Sequence, residues 1–336
     1  MTVVVLQAGF DLPPAASFVI SLATIALVYA LLAIGLNVHY GYTGLLNFGH
    51  VAFFAAGAYT AAILTMPPPD TVEGTVGYTV GIGLPMPLSL PVSLAAGALV
   101  GGGLAVLVGL TSVRLGTHYL AIATFALAGI VQDVIVNERW LTRGVFGLNR
   151  VPRPGRALLG ADLWQVSYLL FVALLTVAVY RLVEQLVNAP FGRLLKGVRE
   201  AELAARMLGK STNLVKLKSF GIGGAIAGLA GAVYAHYVGS VVAGQFVPLV
   251  TFLVWVAMLL GGAASNRGAV LGAFVLVGFR EATRFLPQVG ENASLVPSLR
   301  FVVIGLLLVV VVRVRPQGLL GNPDEIVVAA DGGEES

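Results

Sequence analysis

Residues 17–36 read SFVISLATIALVYALLAIGL, twenty consecutive positions without a charged side chain. An α-helix rises about 1.5 Å per residue, so such a run is about 30 Å long, the thickness of a bilayer's hydrocarbon core. Runs of this kind recur along the chain. Of 336 residues, 57% are hydrophobic and only 11% are charged, whereas soluble domains carry about a quarter charged residues. Nine apolar segments can be marked, at 17–36, 45–65, 89–112, 119–137, 163–187, 217–239, 247–262, 269–286 and 298–313. The short alternating segments of a β-barrel are absent. The expectation is an all-α, polytopic transmembrane helical bundle of about nine spans, with eight to ten as the range. Segments seven and eight are short and flank Gly261, Gly262 and Gly268, which predicts tilted or broken helices.

The chain has no cysteine, which removes disulfides, thiol catalysis and thiolate metal sites. No metal site and no cofactor are expected. The formal charge of +4 reads as loop bias in a membrane protein, with no nucleic-acid partner. No Lys or Arg precedes the first apolar run. That run therefore lacks the charged head of a signal peptide and is expected to be retained.

Basic loops set the orientation. An odd span count with the N-terminus outside puts 37–44, 113–118, 188–216, 263–268 and the tail after 313 in the cytoplasm. Those regions hold Arg114, the seven basic residues from Arg193 to Lys218, Arg267, Arg313 and Arg315. The outer 66–88 loop carries Asp70 and Glu73 and no basic residue. One loop runs against the scheme: 138–162, outside by this count, holds Arg139, Arg143, Arg150, Arg153 and Arg156. Residues 1–321 read as one transmembrane domain, and the acidic, Gly-rich 322–336 as a disordered tail.

The hydrophilic stretch 188–218, NAPFGRLLKGVREAELAARMLGKSTNLVKLK, is built differently from the rest. Pro190 ends the fifth span. From Val198 to Gly209 the spacing predicts one short amphipathic helix, with Val198, Ala201, Ala205 and Leu208 on a small-residue face. Glu202 and Arg206 stand at i, i+4, and Gly209 is the stop signal. On residues alone this helix is either a dock for a soluble partner or a surface helix lying among lipid headgroups.

Ala204-Ala205, three residues, then Gly209 resembles the Glu-Ala-Ala…Gly coupling loop of ABC importer permeases, with the acid one place early at Glu202. That shifted form, with Pro190-Phe191-Gly192-Arg193 before it and Arg199-Glu200 within it, resembles the branched-chain amino acid permeases. Gly41-Tyr42-Thr43-Gly44-Leu45-Leu46-Asn47-Phe48-Gly49-His50 with Gly57-Ala58-Tyr59 is similar to that family's first signature, and Tyr119 to Thr124 to a second. Thr142-Arg143-Gly144 with Gly147-Leu148 resembles an external motif in which Arg143 replaces a Gly. Gly228 to Ala232, Gly261-Gly262 and Pro316 to Gly321 complete the set. Length and the second and third motifs favour the LivM type over the LivH type.

The resemblance implies a transmembrane permease subunit of an ATP-driven importer for leucine, isoleucine and valine in the plasma (inner) membrane, C-terminus cytoplasmic. It implies a second permease of the LivH type, two cytoplasmic ABC ATPases and an extracytoplasmic substrate-binding protein as partners, besides the lipid bilayer. The coupling residues would be Arg193, Arg199, Glu200, Glu202, Ala204, Ala205 and Gly209. The candidate translocation pathway comprises Asn37, Asn47, His50, Tyr59, Thr124 and Asp133, polar groups in or beside apolar runs, where they are costly and often functional. A permease for urea or short amides is the alternative. An ion-coupled secondary transporter is a weaker one, since Asp133 alone lies well inside a span. His236 reads as structural, and Arg280 as a span-end side chain reaching for the interface. Gly97-xxx-Gly101 and Gly224-xxx-Gly228 read as close helix packing. Gly209-Lys210-Ser211 echoes a phosphate-binding loop, but Ala204 stands where the first Gly is needed. No ATP site and no catalytic residue of the chain's own is expected. Asn292-Ala293-Ser294 fits a glycosylation sequon to which no role attaches.

Overall fold

The computed structural model describes residues 12–67, 81–85, 88–112 and 117–282, with 302–303, 305–306, 309–310, 313–315 and 317–321 toward the C-terminus. The expectations for Asp70, Glu73, Arg114, the 292–294 sequon and the 322–336 tail lie outside these residues.

The elements run α1 (Pro14–His39), α2 (His50–Thr65), α3 (Ser89–Ser112), α4 (Thr117–Asn137), α5 (Arg139–Thr142), β1 (Leu148–Asn149) and α6 (Arg156–Leu159). They continue with α7 (Ala161–Asn188), α8 (Pro190–Glu200), α9 (Glu202–Met207), α10 (Thr212–Val238), β2 (Ser240–Val241), α11 (Pro248–Gly261) and α12 (Asn266–Ala282). The described members of 302–314 are also helical. Pro14, Pro190 and Pro248 each open a helix at its first positions, where proline's missing N–H costs nothing and its fixed φ is already helical.

From 26 to 39 every residue of α1 is buried. A helix apolar on all sides belongs in the centre of a bundle, and α1 packs against α12, α10, α7 and α11. Its central companion α10 packs most extensively against α3 and α2. Here the glycine repeats act as expected. A Cβ on Gly57 would stand 2.0 Å from the Gly228 carbonyl oxygen, and one on Gly228 would stand 2.2 Å from that of Gly97. Three backbones therefore meet with no side chain between them.

Three expectations change. Six helices are long and apolar enough to cross a membrane, among the described residues. The count of nine is not confirmed: α2 has only 16 residues, and α12 is described over 17, to Ala282, where the described residues stop. Nor does the second apolar segment begin at residue 45. Residues 40–49 are irregular and mostly buried, and His50 reaches the carbonyl of Leu32, two turns back along α1. Non-helical backbone at that depth is tolerated because protein surrounds it. Around Gly261, Gly262 and Gly268 neither helix is broken. Instead α11 and α12 join through a tight turn with Gly262 at φ 119° and Ala264 at φ 61°. Leu319 N and Leu320 N donate to the carbonyls of Leu260 and Gly261 at 3.0 and 2.8 Å, which seats the C-terminal Gly318-Leu319-Leu320 on this turn.

At the other end, β1 and β2 form a two-residue antiparallel ladder, Leu148 opposite Val241 and Asn149 opposite Ser240. It fastens the α4–α7 connection to the end of α10. Arg143 adopts φ 60°, a left-handed conformation that favours glycine.

Candidate functional site

Asn47 sits at the centre of the bonds that hold the irregular segment. Its Oδ1 accepts from Gly49 N at 2.8 Å, and its Nδ2 donates to His39 Nδ1 at 3.0 Å and toward His50 Nδ1 at 3.5 Å. The far nitrogens face carbonyls: His39 Nε2 donates to Phe220 O at 3.0 Å and His50 Nε2 to Leu32 O at 3.1 Å. A carbonyl only accepts, so each ring carries its proton on Nε2 and accepts at Nδ1. The rings meet edge to face at 5.4 Å, and His39 stacks on Phe220 at 4.7 Å. Asn47, His39 and His50 thus form a closed network joining α1, α2, α10 and the segment between them.

Neighbouring contacts extend it. Trp255 Nε1 donates to Asn47 O at 2.9 Å, Thr251 Oγ1 accepts from Val51 N at 3.0 Å, and Thr124 Oγ1 accepts from Phe48 N at 3.0 Å. Asn37 serves the α11–α12 turn: its Oδ1 accepts from Ala264 N at 2.8 Å and its Nδ2 donates to Asn266 Oδ1 at 3.1 Å. The structure therefore brings Asn47, His50 and Thr124 together, with Asn37 at the adjoining turn. Tyr59 lies further along α2 beside Phe246, ring centroids 5.8 Å apart. Its hydroxyl is buried and has no hydrogen-bond partner among the described residues. Asp133 stands exposed on α4, outside this group.

The 188–218 segment departs from the single helix expected over 198–209. It forms two helices, α8 and α9, broken at Ala201, whose φ of −147° and ψ of 75° are not helical. Leu195, Val198 and Ala205 turn inward. Ala201 and Leu208 do not share their face: both are exposed, Leu208 at 79%. Outward stand Leu203, Ala204, Met207 and Leu208, with Arg193 and Glu200 also exposed. The free face is therefore one of larger apolar side chains. Gly209 ends the unit at φ 74°.

Two ties fasten this unit to the bundle. Arg199 donates to the Gly41 carbonyl and pairs with Glu200 at 3.2 Å. Glu202 pairs with Arg206 at 3.0 Å, as its i, i+4 spacing predicts, and with Lys216 of α10 at 2.6 Å. Partial burial pushes the Glu202 carboxyl up, but Lys216, Thr212 and Arg206 outweigh it and hold its pKa below the ordinary value.

Sequence reading missed His39, Ser219, Asn266 and Lys216. Ser219 Oγ lies 2.7 Å from Thr43 Oγ1. Asn266 Nδ2 in turn donates to Glu184 Oε2 at 3.4 Å. His39 alone carried a signal, as a polar ring at the end of an apolar run. His236 proves structural, between Ser93 Oγ at 2.8 Å and Pro152 O at 2.9 Å. Arg280 turns inward to Tyr29 Oη at 3.1 Å instead of reaching outward.

A family model described as branched-chain amino acid transport system / permease component matches residues 18–312. The high-affinity branched-chain amino acid transport system permease protein LivM of Escherichia coli (strain K12) is 31% identical over 325 residues, covering 90% of this chain and 69% of that protein. The probable branched-chain amino acid transport permease protein LivM of Methanocaldococcus jannaschii is 27% identical over 316 residues, covering 87% and 90%. The LivH protein of the same E. coli system is 26% identical over 314 residues, covering 90% and 94%. No solved structure matches.

Proposed function

This chain belongs to the permease family of branched-chain amino acid transport systems, and from that premise we propose that it is the LivM-type membrane subunit of an ATP-driven importer for leucine, isoleucine and valine. The observation that carries the reading is the likeness to such permeases along 90% of the chain. Its partners are a LivH-type permease, two cytoplasmic ATPases and an external binding protein. The N-terminus lies outside and the C-terminus inside the inner membrane, and residues 1–321 act as one domain.

The coupling step falls to α8 and α9. ATPases closing on Leu203, Ala204, Met207 and Leu208 move a unit that is covalently continuous with α7 and α10. Arg199 passes that motion to Gly41, and the Glu202–Lys216 pair passes it to the foot of α10. The Asn47 network keeps residues 40–49 rigid, so the bundle rocks as bodies rather than melting, the usual form of alternating access. The polar atoms of Asn47 and His50 are already engaged, so with Asn37 and Thr124 they frame the inner end of the pathway. Tyr59 offers a hydroxyl without a partner among the described residues to what passes. The chain itself performs no bond chemistry.

Reconstitution of the chain with its four partners in proteoliposomes tests this. ATP-dependent uptake of radiolabelled leucine is expected. Uptake of urea in preference to leucine overturns the substrate assignment.

A further inference from the structure

Glu184 has no part in the coupling path described above, yet it stands at the entrance to it. It lies on the last turn of α7, just before Pro190 opens α8. Tyr180 and Glu184, four residues apart, share one face of α7. Each meets one of the first two residues of α12. Asn266 Nδ2 donates to Glu184 Oε2 at 3.4 Å, and Arg267 Nε donates to Tyr180 Oη at 3.3 Å. Both bonds are long, but charge supports them. The Arg267 guanidinium lies within electrostatic reach of the Glu184 carboxylate. The N–H groups at the start of a helix also carry partial positive charge, which favours a carboxylate there.

Beyond Asn266 the contacts shorten. Its Oδ1 accepts from Asn37 Nδ2 at 3.1 Å, and Asn37 Oδ1 accepts from Ala264 N at 2.8 Å. Both asparagines are buried. A Cβ on Gly41 would stand 2.0 Å from Asn37 Oδ1 and 2.5 Å from Ala264 N, so Gly41 touches the same pair. The α11–α12 turn is held from behind as well, by Leu319 N and Leu320 N on the carbonyls of Leu260 and Gly261 at 3.0 and 2.8 Å. Glu184 therefore leads, through Asn266, to the point that Arg199 reaches through Gly41. Two attachments do what one cannot. A body held at a single point pivots about it, whereas a second, separate point removes most of that freedom and passes rotation on.

We propose that Glu184 is a positioning residue of the transport cycle. With Asn266 and Asn37 it forms a second relay, which carries the swing of α7 to α1 and to the α11–α12 turn alongside the Arg199–Gly41 contact. This role rests on the coupling reading of α8 and α9 given above.

The test uses the assembled transporter in proteoliposomes and reads leucine taken up per ATP hydrolysed, with Tm alongside. Glu184→Ala removes the acceptor and is expected to lower that ratio by about fivefold while the ATPases stay bound. Glu184→Gln keeps an acceptor oxygen and is expected to restore most of the ratio. The double variant E184A/N266A is expected to be no worse than Asn266→Ala alone, because the two residues act through one bond. An unchanged ratio in Glu184→Ala, whatever its Tm, makes Glu184 a passive brace and overturns the relay. So do additive losses in the double variant, or a loss in Glu184→Gln equal to that in Glu184→Ala. A second measurement stands apart from the substrate. The chain has no cysteine, so nitroxide labels can be placed at Leu182→Cys on α7 and Leu271→Cys on α12, both exposed positions. In the purified full-length chain, with and without its partners, one narrow distance is expected, broadened by Glu184→Ala. If the wild-type complex takes up no leucine, the functional reading fails and this distance judges the α7–α12 tie by itself. A distribution that Glu184→Ala leaves unchanged overturns the tie.

Discussion

The guanidinium of Arg199, on α8, donates to the carbonyl of Gly41, in the irregular segment that follows α1. The two residues are far apart in sequence, yet this bond ties a surface unit to a buried one. It predicts that Arg199→Ala leaves the complex assembled but uncouples it. A hydrogen bond from a charged group contributes about 1.5–3 kcal/mol, so leucine uptake in proteoliposomes should fall by about tenfold while ATPase binding persists. Wild-type uptake would remove Arg199 from the coupling path.

Glu202 makes the coupling unit sensitive to acid. Its folded pKa lies below the ordinary value, so its pairing with Lys216 stabilises the fold above about pH 4.3, the unfolded carboxylate value. That contribution is lost as pH falls through the folded pKa. Hydrogen-exchange protection at 202–207, taken relative to the intrinsic rate at each pH, should therefore fall on acidification across that window. Glu202→Gln should show the lower protection already at neutral pH and no further fall across the window.

Gly228 should tolerate nothing larger. An added Cβ meets the backbone of Gly97 at 2.2 Å, and backbone cannot step aside as a side chain can. Gly228→Ala is expected to cost about 1–3 kcal/mol, seen as a lower Tm in detergent. Gly103 is the control, because a Cβ there meets nothing within 4 Å. Gly103→Ala should be neutral, or stabilise by about 0.5–1 kcal/mol through lost backbone entropy. Equal effects at the two sites would refute the close-packing account.

Tyr59→Phe separates pathway from scaffold. The hydroxyl has no partner to lose among the described residues, so stability should hold or rise by about 1 kcal/mol. Leucine uptake should show a higher KM. An unchanged KM and kcat would place Tyr59 outside the pathway.

Much of this was legible in the chain. Apolar runs of span length located α1, α3, α4, α7 and α10 closely, since twenty uncharged residues have few other places to go. The Glu202–Arg206 pair followed from helical spacing, and Gly209 from its stop signal. The break at Ala201 was not legible. Nothing local forbids a helix through Val198 to Gly209. What interrupts it is the pull of Arg199 toward Gly41 and of Glu202 toward Lys216, two anchors a single straight helix is not built to satisfy together. The span number is not confirmed for a similar reason: hydropathy registers α2 as apolar without showing that this helix has only 16 residues and packs within the bundle.

By its order alone, the chain determined that it is helical, that it belongs in a bilayer and that one basic segment stands apart from the lipid-facing rest. Composition and period suffice for that, because a bilayer demands internally bonded backbone whatever the neighbours are. Tertiary structure decided which polar residues meet. Asn47 reads the same beside any glycine turn, but only the packed bundle brings His39 from the end of α1 and Phe220 from α10 around it. Hydrogen bonds between groups distant in sequence depend on where helices cross, and that crossing is set by glycines at which three backbones touch.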